Sequence, residues 1–170
     1  MESKKNKIEP FEGKGRLISK TAVSVTDKAG KAITLDTKNI LICTGSRVRE
    51  LPFAKTDGKL ILNSDSVLSI DSVPKTMAII GGGIVGMEFA SCFGRFGTQV
   101  TVIELAPQII PSEDGEVIKE FNRHLKKQNI TVLTNSKLEK VESKKDHVLV
   151  TIGGQEPQKF DRVLVSVGRE

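Results

Sequence analysis

The chain has 170 residues, of which 38% are hydrophobic, so it can bury a core of one domain or slightly more and is not a disordered chain. Its net charge is +5, but it contains no Tyr or Trp for base stacking and its lysines are scattered. This pattern disfavours a nucleic-acid partner. No apolar run approaches the roughly 20 residues of a membrane span. The first ten residues lack a signal-peptide core, so we expect a cytoplasmic protein, with the mitochondrial matrix left open.

The cysteines and histidines give no metal-binding or disulfide pattern. Cys43 and Cys92 lie far apart in apolar segments and are predicted to be buried thiols in a reducing compartment. His124 and His147 show no ligand spacing with them. The sequence therefore predicts neither a disulfide framework nor a metal site.

The first part of the chain reads as short strands and turns. Three strands are predicted at residues 16–19, 22–25 and 32–35, the last two joined by the polar turn at 27–31. Residues 40–43 are continuously apolar, which predicts a strand buried on both faces. Residues 48–72 are irregular, with a short helix predicted at 64–69, and look like a connection.

From residue 77 onwards, strands and helices alternate. We predict strands at 77–80, 99–105, 130–133 and 162–167, and helices at 84–96 and from a cap at 112–114 to about 128. A hairpin is predicted from 137–141 and 147–152. The first helix is predicted to bury Val85, Phe89, Cys92, Phe93 and Phe96, and the second to bury Val117, Ile118, Phe121 and Leu125. The predicted class is α/β: a parallel sheet with an inserted antiparallel hairpin, preceded by a β-rich segment.

A glycine cluster follows the strand at 77–80. The stretch GGGIVG fits G-x-G-x-x-G with Gly81, Gly83 and Gly86, and it opens a helix within a strand–helix–strand unit. In a Rossmann-like domain, Gly81 would make the tight turn, Gly83 would let a pyrophosphate approach the backbone, and Gly86 would let the helix press against the strand. The helix N-terminus would add unpaired N–H groups and partial positive charge.

Glu104 sharpens the ligand prediction because it ends the second strand of the unit, 104 − 83 = 21 residues after Gly83. A carboxylate at this place accepts hydrogen bonds from ribose hydroxyls and repels a 2′-phosphate, which favours NAD over NADP. Two alternatives remain. Glu104 could be a solvated residue at a strand end, or the loop could belong to a methyltransferase, although such sites usually have an acidic residue where residues 78–80 are apolar.

LICTGS (residues 41–46) and LVSVGR (residues 164–169) share a form, because each is an apolar run closing on glycine. Since ligands sit beyond the carboxyl ends of parallel strands, two such ends predict two related nucleotide-binding bodies. The alternative is that apolar strands simply often end in glycine.

Taken together, ILICTGS, VPKTMAIIGGGIVGMEFASCFGRFGTQVTVIEL and FDRVLVSVGRE resemble the pyridine nucleotide–disulfide oxidoreductases over nearly the whole chain. The resemblance implies that residues 1–47 are part of an FAD-binding domain, with Thr44 and Gly45 near FAD, and that residues 48–170 are an NAD-binding domain. It implies NAD contacts from a set within that second domain: Gly81, Gly83, Ile84, Val85, Gly86, Glu88, Glu104 and Gly168.

The departures from the family limit the expected chemistry. The sequence has no cysteine pair four residues apart, no second glycine loop for FAD and no His–Glu pair of the dimerisation domain. We therefore expect a fragment with no catalytic residues, inactive alone. The resemblance implies a small-molecule substrate, a homodimeric whole protein and, for some members, binding to 2-oxo acid dehydrogenase complexes. NADH oxidase, mercuric reductase or a non-catalytic NAD-sensing module remain alternatives.

Overall fold

The structure, a computed structural model, describes residues 5–170 and divides the chain into two compact units, Met1–Gly45 and Ser46–Glu170. The first four residues of the predicted segment 1–47 lie outside the described residues. The first unit holds an antiparallel sheet of three strands, in the order β1 (Lys14–Leu17), β2 (Ala22–Thr26) and β3 (Ala32–Asp36). The predicted hairpin is confirmed, because β2 and β3 pair antiparallel. In the turn between them, the Asp27 carboxylate accepts hydrogen bonds from the N–H groups of Ala29 and Lys31.

The strand predicted at residues 40–43 is wrong. The segment has no strand structure, and Leu41 and Ile42 are 87% and 65% exposed. Cys43 is an exposed free thiol, so its predicted burial is wrong too. An apolar run becomes a buried strand only where neighbouring strands take up its backbone hydrogen bonds. No strand of the described residues pairs with it.

The second unit is built on a sheet of five short strands: β4 (Ile61–Leu62), β5 (Thr76–Ile80), β6 (Gln99–Ile103), β7 (Thr131–Leu133) and β11 (Arg162–Val165). Apart from β7, these strands are largely buried. They are parallel and lie in the order β4–β11–β5–β6–β7, which confirms the predicted α/β class. The two-residue strand β4 was not predicted, since a pair of apolar residues has no detectable period. The helix predicted at 64–69 is a 3-10 helix, Ser66–Ser69.

Helix α1 (Ile84–Arg95) shares only part of its buried face with the predicted one: Phe93 is buried and Phe89 packs against the same core, as predicted. Gly86, Met87, Ala90 and Phe93 are buried, whereas Cys92 and Phe96 are exposed. The prediction followed the large apolar residues. The buried face instead combines the small residues Gly86 and Ala90, which let the helix backbone come close to the sheet, with the larger Met87 and Phe93.

Helix α2 (Gly115–Lys127) begins at its predicted cap, since the Asp114 carboxylate accepts a 2.8 Å hydrogen bond from the Glu116 N–H. Ile118 and Leu125 are buried as predicted, and Phe121 packs against the same core. Val117 is exposed, contrary to the prediction.

The two faces of the parallel sheet carry separate cores. Side chains of α1 and α2 join one core with Ile79, Val100 and Val102. On the other face, a small antiparallel sheet, β8 (Leu138–Ser143), β9 (Val148–Ile152) and β10 (Gln158–Phe160), packs against Ala78 and Ile80. The predicted hairpin is β8 and β9, whereas β10 was missed.

Within residues 5–170, no helix combines the length and the apolar character needed to cross a membrane. The same residues contain no cluster of three or more His, Cys, Asp or Glu side chains placed to hold a metal ion.

Candidate functional site

A groove of about 610 Å³ opens at the carboxyl edge of the parallel sheet. It lies where the loops after β5, β6, β7 and β11 converge, which is where open α/β sheets place their ligands. Every residue that lines it belongs to the second unit. Its lining is Leu51, Phe53, Ile80, Gly81, Gly83, Ile103, Glu104, Leu105, Pro111, Ser136, Lys137, Leu138, Ser166, Val167 and Gly168.

Gly81 and Gly86 are required by the backbone itself. Gly81 has φ +102°, a left-handed conformation that favours glycine, and a Cβ there would collide with the Ser166 carbonyl oxygen. At Gly86, inside α1, a Cβ would collide with the Gly81 carbonyl oxygen. These contacts place the helix tightly against the loop that follows β5, in the arrangement of a dinucleotide-binding turn.

Gly83 is different, because neither its backbone nor its packing needs glycine. Its φ is −72°, which any residue adopts, and a Cβ there would meet no atom within 4 Å. It is also the N-cap of α1, and no side chain caps the N–H groups of that helix end. A helix N-terminus without a capping side chain, beside open space, can bind an anionic group through its backbone N–H groups.

Glu104 lies at the end of β6 and contacts the glycine loop directly. Its Oε2 accepts a 2.6 Å hydrogen bond from the Gly82 N–H, and its Oε1 accepts a 2.7 Å bond from the Ala106 N–H. Each carboxylate oxygen still has a lone pair for a further donor, such as a hydroxyl group. Lys137 is the other charged residue in the groove lining, whose remaining walls are mainly apolar.

The predicted site residues separate into groups. Gly81, Gly83, Glu104 and Gly168 share the groove. An adjoining cavity of about 160 Å³ is lined by Gly83, Gly168 and two further predicted residues, Ile84 and Val85.

Glu88 lies outside the groove. It is exposed on α1 and lines a separate hollow with Met87 and Cys92. Thr44 and Gly45 belong to the first unit, in the exposed segment that forms no strand, so the predicted pair of matching strand ends is not present. The ligand roles of all these residues stay predictions.

Sequence reasoning missed part of the groove. Ser136 and Lys137 follow β7, and Ser166 follows β11, so they reach the groove because their strands end there. Listing the residues after every predicted parallel strand would have found them. Phe53 and Leu51 carry no such signal, since they come from an irregular segment.

Comparison with known proteins places this geometry in a family. Dihydrolipoyl dehydrogenase 1, mitochondrial, of Arabidopsis thaliana is 41% identical across 98% of this chain and 34% of its own length. Dihydrolipoyl dehydrogenase of Bacillus subtilis is 37% identical across 98% of the chain and 36% of its own. The chain thus spans about a third of the length of these relatives.

Among solved structures, the HOCl-induced flavoprotein disulfide reductase RclA from Escherichia coli superimposes with a TM-score of 0.77 at 26% identity, covering 96% of this chain and 37% of that one. The family model described as pyridine nucleotide-disulphide oxidoreductase matches residues 1–170. With that match over the whole length, and a glycine loop, helix and acidic strand end arranged as described above, the chain belongs to the pyridine nucleotide-disulphide oxidoreductases.

Proposed function

We propose that the second unit binds NAD(H) in the groove at the carboxyl edge of its parallel sheet. The observation that carries this proposal is Gly83, a glycine whose φ is ordinary and whose missing Cβ leaves open space within the groove lining. Neither fold nor packing demands glycine there, and its place in the groove lining supports a ligand that approaches the backbone closely.

In this proposal, different residues of the groove bind different parts of NAD(H). The backbone of residues 81–84 and the N-terminus of α1 hold the pyrophosphate. Glu104 accepts hydrogen bonds from the adenosine ribose hydroxyls and disfavours the 2′-phosphate of NADP. Gly168 lies toward the nicotinamide, with Glu88 assigned to the same end by family resemblance alone. The nicotinamide, when bound, supplies the acceptor for a hydride.

For the whole protein we propose dihydrolipoamide dehydrogenase: oxidation of dihydrolipoamide by NAD⁺ through a redox disulfide and FAD. The identities of about 40% with dihydrolipoyl dehydrogenases support it. The sequence contains no closely spaced cysteine pair and no second glycine loop, so these 170 residues would contribute NAD binding to that reaction. In this proposal, Thr44 and Gly45 serve the FAD-binding part of the protein.

A second candidate is a flavoprotein disulfide reductase with another electron partner. The structural likeness to RclA favours it, since that protein is described as a flavoprotein disulfide reductase. NAD(H) binding by the second unit is common to both candidates.

Titration calorimetry with NADH tests the binding proposal. We expect the chain to bind NADH more tightly than NADPH. The variant Gly83→Ala should stay folded, because its Cβ meets no neighbour and the change at the N-cap costs at most about 1 kcal/mol. It should lose about tenfold or more in NADH affinity by obstructing the pyrophosphate.

Gly115→Ala is the matched control, since a Cβ there also meets nothing within 4 Å and residue 115 lies outside the groove. Its NADH affinity should equal that of the unchanged chain. Equal affinities for Gly83→Ala and Gly115→Ala, or no NADH binding by the unchanged chain, would contradict the proposal.

A further inference from the structure

Gly82, a variable position of the glycine motif, is held from both sides by the segment that follows β6. Its N–H donates to Glu104 Oε2 at 2.6 Å, and its carbonyl oxygen accepts from the Ile110 N–H at 2.8 Å. The second oxygen of Glu104 accepts from Ala106 in the same segment. Both backbone groups of this loop residue are therefore fixed by residues 104–110.

The segment that holds Gly82 is itself tightly constrained. Ile110 has φ +44°, a left-handed conformation that a β-branched residue rarely adopts and that the surrounding contacts must maintain. Ile109 is fully buried, and its Cγ2 would lie 2.7 Å from a Cβ built on residue 82. The φ of Gly82 is not positive, so a side chain there is opposed chiefly by the buried Ile109 and not by the turn.

We infer that Glu104 is a positioning residue for the glycine loop as well as a ligand of the ribose. By accepting hydrogen bonds from the Gly82 and Ala106 N–H groups, its carboxylate holds the loop in the ligand-binding conformation before any ligand binds. A preformed loop loses less conformational entropy on binding. The inference rests on the proposed NAD(H) site, but the hydrogen bonds of Glu104 to the Gly82 and Ala106 N–H groups are a property of the free chain.

The two roles predict different consequences of losing the carboxylate. A residue that only selects between cofactors would, when changed, weaken NADH binding and improve NADPH binding. A residue that also holds the loop would, when changed, weaken both. The side chain in Glu104→Gln keeps one acceptor oxygen, so one of the two N–H groups would face an NH₂ group instead of an acceptor.

The test is amide hydrogen exchange measured by NMR on the free 170-residue chain, with Glu104→Gln compared against Glu139→Gln. Residue 139 is an exposed glutamate on β8, outside the groove lining. In Glu104→Gln we expect at least one of the Gly82 and Ala106 amide protons, the one that faces the NH₂ group, to exchange about tenfold faster or more. Both amides should lose the downfield shift of carboxylate-bonded amides. Glu139→Gln should leave both amides unchanged. Unchanged exchange and shifts at both amides in Glu104→Gln would overturn the inference.

A second pair of variants covers the case in which Glu104→Gln fails to fold. Gly82→Ala should push against Ile109 and lower NADH and NADPH affinity together, and adding Ile109→Ala should restore part of both by removing Cγ2. A Gly82→Ala chain that binds both cofactors normally would also overturn the inference. If the unchanged chain protects both amides but binds no NADH, the proposed function fails while the loop contact stands.

Discussion

Asp57 holds the turn that leads into β4. Its Oδ1 accepts hydrogen bonds of 2.8, 2.8 and 2.9 Å from the N–H groups of Lys59, Leu60 and Ile61, and its Oδ2 lies 3.4 Å from the Ser143 hydroxyl. Partial burial tends to raise the pKa of this carboxyl, but these hydrogen bonds together lower it below its ordinary value. The charged form therefore stabilises the folded state.

We expect Asp57→Asn to lower the free energy of unfolding by about 0.5–1 kcal/mol at pH 7, since the turn is exposed and charge-assisted bonds become neutral ones. Because the folded pKa is lowered, this contribution is complete above the ordinary carboxyl pKa and is lost as the pH falls through the lowered value. Urea unfolding at pH 7 and at stepwise lower pH measures it.

Asp71→Asn, at an exposed carboxylate in the bend before β5, serves as the control and should change stability little at any pH. A stability difference between the unchanged chain and Asp57→Asn that stays constant as the pH falls would argue against a charged Asp57 as the cause.

Single residues of the site differ in how far sequence could predict them. Gly81, Gly86 and Glu104 follow a spacing that reflects local geometry, and the structure places them at a tight turn, a helix contact and a strand end. The part played by Gly82 depends on Ile109, which meets it only in the folded chain. A motif that leaves a position variable gives no signal for such a contact.

At the scale of the helix, two variants test which face of α1 is buried. Met87→Ala removes a side chain that is 2% exposed and part of the core, and should cost about 2–5 kcal/mol of unfolding free energy. Cys92→Ala removes an exposed thiol from the same helix and should change it by less than about 0.5 kcal/mol. Chemical denaturation measures the free energy of unfolding of both variants. Equal losses of stability would instead favour the face predicted from sequence, which includes Cys92.

Helices and strands that show a clear hydrophobic period along the sequence were predicted correctly. Segments whose structure depends on pairing with strands elsewhere in the chain were not. The strand β5, helix α1 and strand β6 alternate with a clear period and appear within a few residues of their predicted bounds. Residues 40–43 have the composition of a buried strand, but composition does not provide the neighbouring strands that would accept its backbone bonds. The missed strands β4 and β10 are two and three residues long, too short to show a period.

On the scale of the whole molecule, the two ends of the second unit pair with each other through backbone hydrogen bonds. The Arg47 N–H donates to the Glu170 carbonyl at 2.7 Å, and the Glu170 N–H donates back to Arg47 at 2.8 Å. The first residues of the unit therefore run beside its last ones. The groove proposed for the ligand is likewise lined only by residues of this unit.

We therefore expect a chain of residues 46–170 alone to bind NADH with the affinity of residues 1–170, within about twofold, because no lining residue is removed. Calorimetry on both chains measures this, after circular dichroism and thermal unfolding have shown that the shorter chain is folded. Introducing Gly83→Ala into the shorter chain should weaken binding by the same factor as in the longer one. A folded shorter chain with much weaker NADH binding would instead assign residues 1–45 a part in holding the cofactor.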